Sequence, residues 1–134
     1  MKKLLFVCIE NSNRSQMAEA FARIYGAELV EPYSAGSSPS GEVNSKAIAA
    51  MREIGYELST HRSKSLDDVP RVLFDYLVTM GCGEQCPHVQ AKNRLDWDIP
   101  DPKNMNMAGL REVRKLIERH VKDLLKNMDN SRTE

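Results

Sequence analysis

An α/β fold with a mostly parallel sheet is predicted by two observations. Short apolar runs alternate with stretches of helical periodicity along the chain, the pattern of β-α-β units. The residues able to do chemistry stand just after those runs, where open α/β sheets bind ligands, at the carboxyl ends of their strands. A length of 134 residues without an internal repeat, low-complexity tract or linker predicts a single domain over 1–134 with one core.

The elements follow in order. "KKLLFVC" is an apolar run suited to a strand buried on both faces. "SQMAEAFARIYG" puts Met17, Ala18, Phe21, Ala22 and Tyr25 on one helical face, with Gly26 as a stop. "AELVEPYSAG" reads as a second strand running into a turn. "NSKAIAAMREIG" repeats the helical pattern through Ala47, Ile48, Met51 and Ile54, ending at Gly55. "DYLVTM", closed by "GCG", is a third strand, and "NRLDW" a fourth, before the Pro-rich "DIPDPK". Leu110, Val113, Ile117, Val121 and Leu124 mark a C-terminal helix, with 126–134 expected to fray.

The chain is 41% hydrophobic and 28% charged, a globular composition. Nineteen basic residues balance nineteen acidic ones, so no excess charge points to nucleic acid or an anionic membrane surface. The N-terminal apolar run is shorter than a secretory core, and no stretch suits a membrane span. A cytoplasmic protein is expected, and nothing demands more than a monomer. In a reducing compartment the three cysteines read as catalytic, redox-active or metal-binding rather than as structural staples.

"CIENSNRS" lies between the first strand and the first helix. Backbone N–H groups there, with the positive end of the helix dipole, make a nest for an oxyanion. Arg14 can grip two of its oxygens through its planar fork. The same field favours a thiolate at Cys8, the nucleophile. Asn11 and Ser12 are expected to brace the loop through side-chain-to-backbone bonds.

These residues, with "SAG", "REIGYELSTHRS", "DYLVTM" and "DWDIPDP", give a sequence that resembles the low-molecular-weight protein tyrosine phosphatase family. More narrowly, it is similar to that family's arsenate reductase branch, over nearly the whole chain to about Lys126. The resemblance implies a four-stranded parallel sheet flanked by helices. It implies Cys8 as nucleophile, Ile9, Glu10, Asn11, Ser12, Asn13, Arg14 and Ser15 as the oxyanion site, and Asp101 as general acid. Asp98 is the second candidate for the acid. The family loop usually has Gly where this chain has Glu10 and Cys where it has Asn13.

The two branches share the first step and differ afterwards. A phosphatase needs water to release phosphate, whereas a reductase needs a second thiol to take up oxidising equivalents as a disulfide. "MGCGEQCPH" offers Cys82 and Cys86 after the third strand, and a pure phosphatase has no use for that pair. The resemblance implies a relay in which Cys82 attacks Cys8 and Cys86 then attacks Cys82. The tight Cys-x3-Cys spacing leaves the order of the two thiols open. The oxidising equivalents would pass to thioredoxin, or to glutaredoxin or a low-mass thiol, with no bound cofactor. The alternative is a tyrosine phosphatase acting on phosphotyrosine or small aryl phosphates.

Several relatives of this kind bind potassium beside the loop. The matching positions here are Asn11, Glu19, Ser34 and Lys64, and a lysine ammonium in the ion's place predicts no potassium dependence. Zinc at Cys82, Cys86 and His88 is the weaker reading, since structural zinc takes four ligands and no second cluster exists. Buried, inert cysteines are another. Trp97 is expected to pack under the Pro-rich loop, His120 to be structural, and His61 to lie in a solvated loop.

Overall fold

The computed structural model describes residues 1–81 and 89–132, with side chains placed to residue 128. The elements are β1 (Lys2–Cys8), α1 (Arg14–Tyr25), β2 (Val30–Gly36), α2 (Ser45–Arg52), β3 (Phe74–Thr79), β4 (Ala91–Asp96) and α3 (Met107–Arg132). The strands form one sheet in the order β2-β1-β3-β4, every pair parallel. β1 is therefore central, and its carboxyl end at Cys8 sits between those of β2 and β3.

The continuous apolar run of β1 has a direct cause. Leu4, Phe6 and Cys8 face a core shared with Met17, Phe21 and Ile117, while Leu5 and Val7 face another with Ala35, Phe74 and Leu77. Side chains alternate across a strand, so burying both faces needs an apolar residue at every position. β4 is an edge strand, and its Lys92, Asn93 and Arg94 are exposed. That explains why its first half carried no apolar signal.

The helices keep the predicted faces with small shifts. Met17, Ala18, Phe21 and Ala22 are buried, but Tyr25 is 43% exposed at the end of α1. The Asn44 side chain caps α2 by accepting from Lys46 N–H at 2.8 Å. α2 stops at Arg52, because the N–H groups of Ile54 and Tyr56 both turn back to the Met51 carbonyl (3.1 and 3.0 Å). Ile54 is thereby turned outward, 43% exposed, rather than into the core. In α3 the apolar stripe continues past Lys126 to a buried Met128, and the helix runs to Arg132.

α2 and α3 are joined by charge. Glu53 meets Arg111 Nη2 at 2.8 Å and Arg114 Nη1 at 2.7 Å. Hydrogen bonds from Arg111 and then Arg114 hold its carboxyl down at about 2, against 4.5 for an ordinary glutamate. The stabilisation is therefore complete above the unfolded value and disappears as the pH falls toward the folded one. Glu53→Gln should lower the melting temperature at pH 7 slightly, since the cluster is exposed. That difference should close as the pH approaches 2, and a gap that widens in acid would contradict the assignment.

Candidate active site

The loop from Cys8 to Asn13 turns every carbonyl outward. Those of Cys8, Ile9 and Glu10 accept from Ser37 N–H (3.2 Å), Ser38 N–H (2.8 Å) and Ser40 N–H (3.1 Å). The Asn11 carbonyl accepts from Gln16 Nε2 at 3.1 Å. Those of Ser12 and Asn13 accept from Asn44 N–H and Met17 N–H, both at 3.0 Å. With the negative ends of the peptides held outside, the loop's concave side is left to N–H groups. No side chain caps α1, so its dipole also faces the loop. The arrangement suits an anion.

Asn11 sits at φ 52°, a left-handed conformation that asparagine tolerates better than most residues. Its buried side chain explains the choice. Asn11 Oδ1 accepts from Lys64 N–H at 2.9 Å, an obligatory donor that fixes the amide's orientation. Ser12 differs from its expected bracing role: it contributes its carbonyl, and its side chain lines the cavity.

From that fixed amide a chain of hydrogen bonds can be directed atom by atom. Asn11 Nδ2 donates to Ser15 Oγ at 2.7 Å, and the Ser15 hydroxyl hydrogen is free to be donated to Cys8 Sγ at 2.9 Å. Gln16 Nε2 faces three oxygens: Asn11 Oδ1 (2.8 Å), Asn11 O (3.1 Å) and Arg62 O (3.0 Å). Its Oε1 must then accept from His61 Nδ1 at 2.9 Å. Burial pushes the His61 pKa down, with Glu19 opposing and Arg23 and Lys64 adding to the fall. The ring is therefore neutral at neutral pH, and its Nε2 accepts from Tyr56 Oη at 2.6 Å. Tyr56, His61, Gln16, Asn11 and Ser15 can thus all donate in one direction, toward the sulfur. His61 belongs to this buried chain rather than to the solvated loop expected for it.

Arg14 is 6% exposed. Its Nη1 donates to the Ile99 carbonyl at 3.0 Å, and its Nη2 lies 3.7 Å from Asp101 Oδ2. The carbonyl is steady because Trp97 and Ile99 are buried, and Trp97 stacks on His120 at 4.9 Å between ring centres. Both residues therefore play the packing roles expected of them. Gly81, at φ +89°, lies so close that a Cβ there would stand 2.7 Å from Arg14 Nη1.

A cavity of about 310 Å³ opens over the loop, lined by Cys8, Ile9, Glu10, Ser12, Asn13, Arg14, Ser38, Asp101 and Lys103. Asp101 reaches it, whereas Asp98 does not line it; both are exposed. Glu10, an acid beside an anion site, has its counter-charge in Lys103 Nζ at 3.2 Å. A larger groove of about 500 Å³, near Leu66, Val72, Phe74 and Val89, is lined by no cysteine among the described residues.

Cys8, the loop through Ser15, Arg14 and Asp101 are brought together. Cys82, Cys86 and His88 lie outside the described residues, so their placement relative to Cys8 is not given. Among the described residues, no cluster of three or more His, Cys, Asp or Glu side chains could hold a metal. Lys64 Nζ stands 3.8 Å from Glu19 Oε1 and 3.5 Å from Ser34 Oγ, among the residues expected around a cation. Gln16, Tyr56 and Lys103 were not singled out from sequence as site residues. The one available signal was the unexplained charge of Glu10.

Comparison with known proteins agrees with this geometry. Residues 3–134 match the family model described as low molecular weight phosphotyrosine protein phosphatase. The chain is similar to a glutaredoxin arsenate reductase of Synechocystis sp., 34% identical over 93% of this chain and 97% of that protein. It is also similar to the solved structure of an arsenate reductase in the phosphate-binding state. That match has a TM-score of 0.87 at 34% identity, covering 96% of this chain and 99% of the other. The YwlE arginine phosphatase from Geobacillus stearothermophilus matches with a TM-score of 0.86 at 26% identity, over 99% of this chain and 96% of that one. Among the described residues, no helix is long and apolar enough to cross a membrane.

Proposed function

Because this chain belongs to the low molecular weight phosphotyrosine protein phosphatase family, we propose that its loop binds arsenate and that the protein reduces it to arsenite. The observation that carries the reading is the cradle itself, with outward carbonyls, an arginine fork and Cys8 at its base. The arsenate reductases similar over nearly the full chain supply the substrate class.

The Cys8 thiolate attacks arsenic in line while loop N–H groups and Arg14 hold the remaining oxygens. Asp101 protonates the oxygen that departs as water. A second thiol then attacks Cys8 Sγ, the electrons of the S–As bond stay on arsenic, and arsenite leaves. Cys82 is the assigned attacker, Cys86 next forms a disulfide with Cys82, and an external thiol donor reduces it. Thioredoxin, or glutaredoxin with a low-mass thiol, fits that role, and the protein works as a cytoplasmic monomer.

Disulfide mapping by mass spectrometry after arsenate treatment and thiol trapping tests the relay. The expected products are an 82–86 bond in the wild type and an 8–82 bond accumulating in Cys86→Ser. Arsenate reduction that survives Cys82→Ser unchanged would reject the assignment of the resolving thiol. Turnover should also be the same in potassium and sodium salts, because the Lys64 ammonium lies beside Glu19 and Ser34. A clear activation by potassium would show that the lysine does not replace the ion. Hydrolysis of phosphate esters is a second reading, favoured by the shared first step and by similarity to an arginine phosphatase.

A further inference from the structure

We infer that Glu10 and Lys103 form an ionic gate that selects free oxyanions over organic phosphate esters, an inference that rests on the proposed arsenate chemistry. The two side chains meet at 3.2 Å from opposite sides of the site, one on the anion loop and the other two residues beyond Asp101. Both line the anion cavity of about 310 Å³. Both also line a neighbouring cleft of about 360 Å³, together with Ser12, Ser40, Glu42 and Asn44. The ion pair is thus a partition between the anion site and a neighbouring cleft that shares its residues.

In-line attack by Cys8 leaves the departing oxygen on the far side of the substrate, toward Asp101 and the mouth. With arsenate that oxygen carries hydrogen alone, so the step expels water and needs no further room. With an ester, the S–P bond forms, the P–O bond to the organic group breaks, and that oxygen takes the Asp101 proton. The organic group must then lie where Lys103 crosses to Glu10. Lys103 is held in place at its base as well, since its N–H donates to Asp101 Oδ1 at 3.0 Å. An aryl group would have to separate the ions and would meet charge where it needs an apolar wall.

Glu10 also repels any dianion in the cradle, and Lys103 offsets that repulsion. This effect is common to arsenate and aryl phosphate, so it cancels in the ratio of the two activities. The ratio reads the gate alone.

The experiment measures kcat/KM for arsenate reduction and for p-nitrophenyl phosphate hydrolysis in wild type, Glu10→Ala, Lys103→Ala and the charge swap Glu10→Lys/Lys103→Glu. Protection of Cys8 from iodoacetamide by inorganic phosphate, read by peptide mapping, confirms a competent cradle in each variant. Both single variants should shift the ratio toward the aryl phosphate by up to about fivefold, the scale set by loss of an exposed ion pair. The swap should bring it back to within about twofold of wild type. A ratio unmoved in both single variants, or not restored by the swap, overturns the gate. Absence of arsenate turnover in the wild type would instead defeat the functional reading, while ester kcat/KM divided by the inorganic phosphate affinity read from Cys8 protection still reports on the gate.

Discussion

Cys8→Ser is expected to abolish arsenate reduction and any ester hydrolysis together, each by at least about 10⁴-fold, the scale seen when a covalent nucleophile is removed. The shared loss follows from a first step common to both reactions. A serine hydroxyl is not ionised at neutral pH and is a far weaker nucleophile than a cysteine sulfur. The cradle should survive, because its outward carbonyls are held by Ser37, Ser38, Ser40, Gln16, Asn44 and Met17, not by the sulfur. Calorimetry should therefore still detect inorganic phosphate binding. Residual turnover above about one per cent of wild type would move the nucleophile elsewhere.

The second large effect comes from a residue with no chemistry of its own. Gly36 ends β2 beside Cys8, and its N–H donates to the Lys64 carbonyl at 2.9 Å. A Cβ on it would stand 2.6 Å from the Ile9 carbonyl oxygen and 3.0 Å from Asn11 N. These are backbone atoms of the cradle, and no flexible side-chain end can swing aside. Gly36→Ala should therefore displace the loop, with a stability loss of about 1–3 kcal/mol as for other overpacking changes. Activity should fall by roughly 10²-fold, since misplacements of about 1 Å cost that much. Denaturant unfolding and turnover check the two parts separately. An alanine variant with wild-type kinetics would show that the loop tolerates a shift the geometry forbids.

The central strand and the cradle were legible because their chemistry is local. β1 announces itself by burying both faces, and Cys8 and Arg14 flank one loop between a strand and a helix. The first half of β4 was not legible, since an exposed edge strand needs no apolar residues. Ile54 keeps helical spacing with Met51, yet the chain leaves the helix before it. The chain behind Cys8 was hidden for a different reason. His61 and Gln16 are 45 positions apart, and nothing local says that an imidazole in a polar stretch will be buried. Glu10 was conspicuous but unexplained, because its partner stands 93 positions away.

The directed hydrogen bonds from Tyr56 to Cys8 also bear on the flow of electrons. They are matched to a negatively charged sulfur, and a disulfide sulfur is a poor acceptor for the Ser15 hydroxyl. Stabilising the reduced form raises the reduction potential of any disulfide that includes Cys8. In the proposed relay, a bond between Cys8 and a second cysteine would thereby be a stronger oxidant than the same bond without these donors, which favours passing the oxidising equivalents away from the nucleophile. In the proposed cycle, the buried dipoles that favour attack by Cys8 therefore also favour its release.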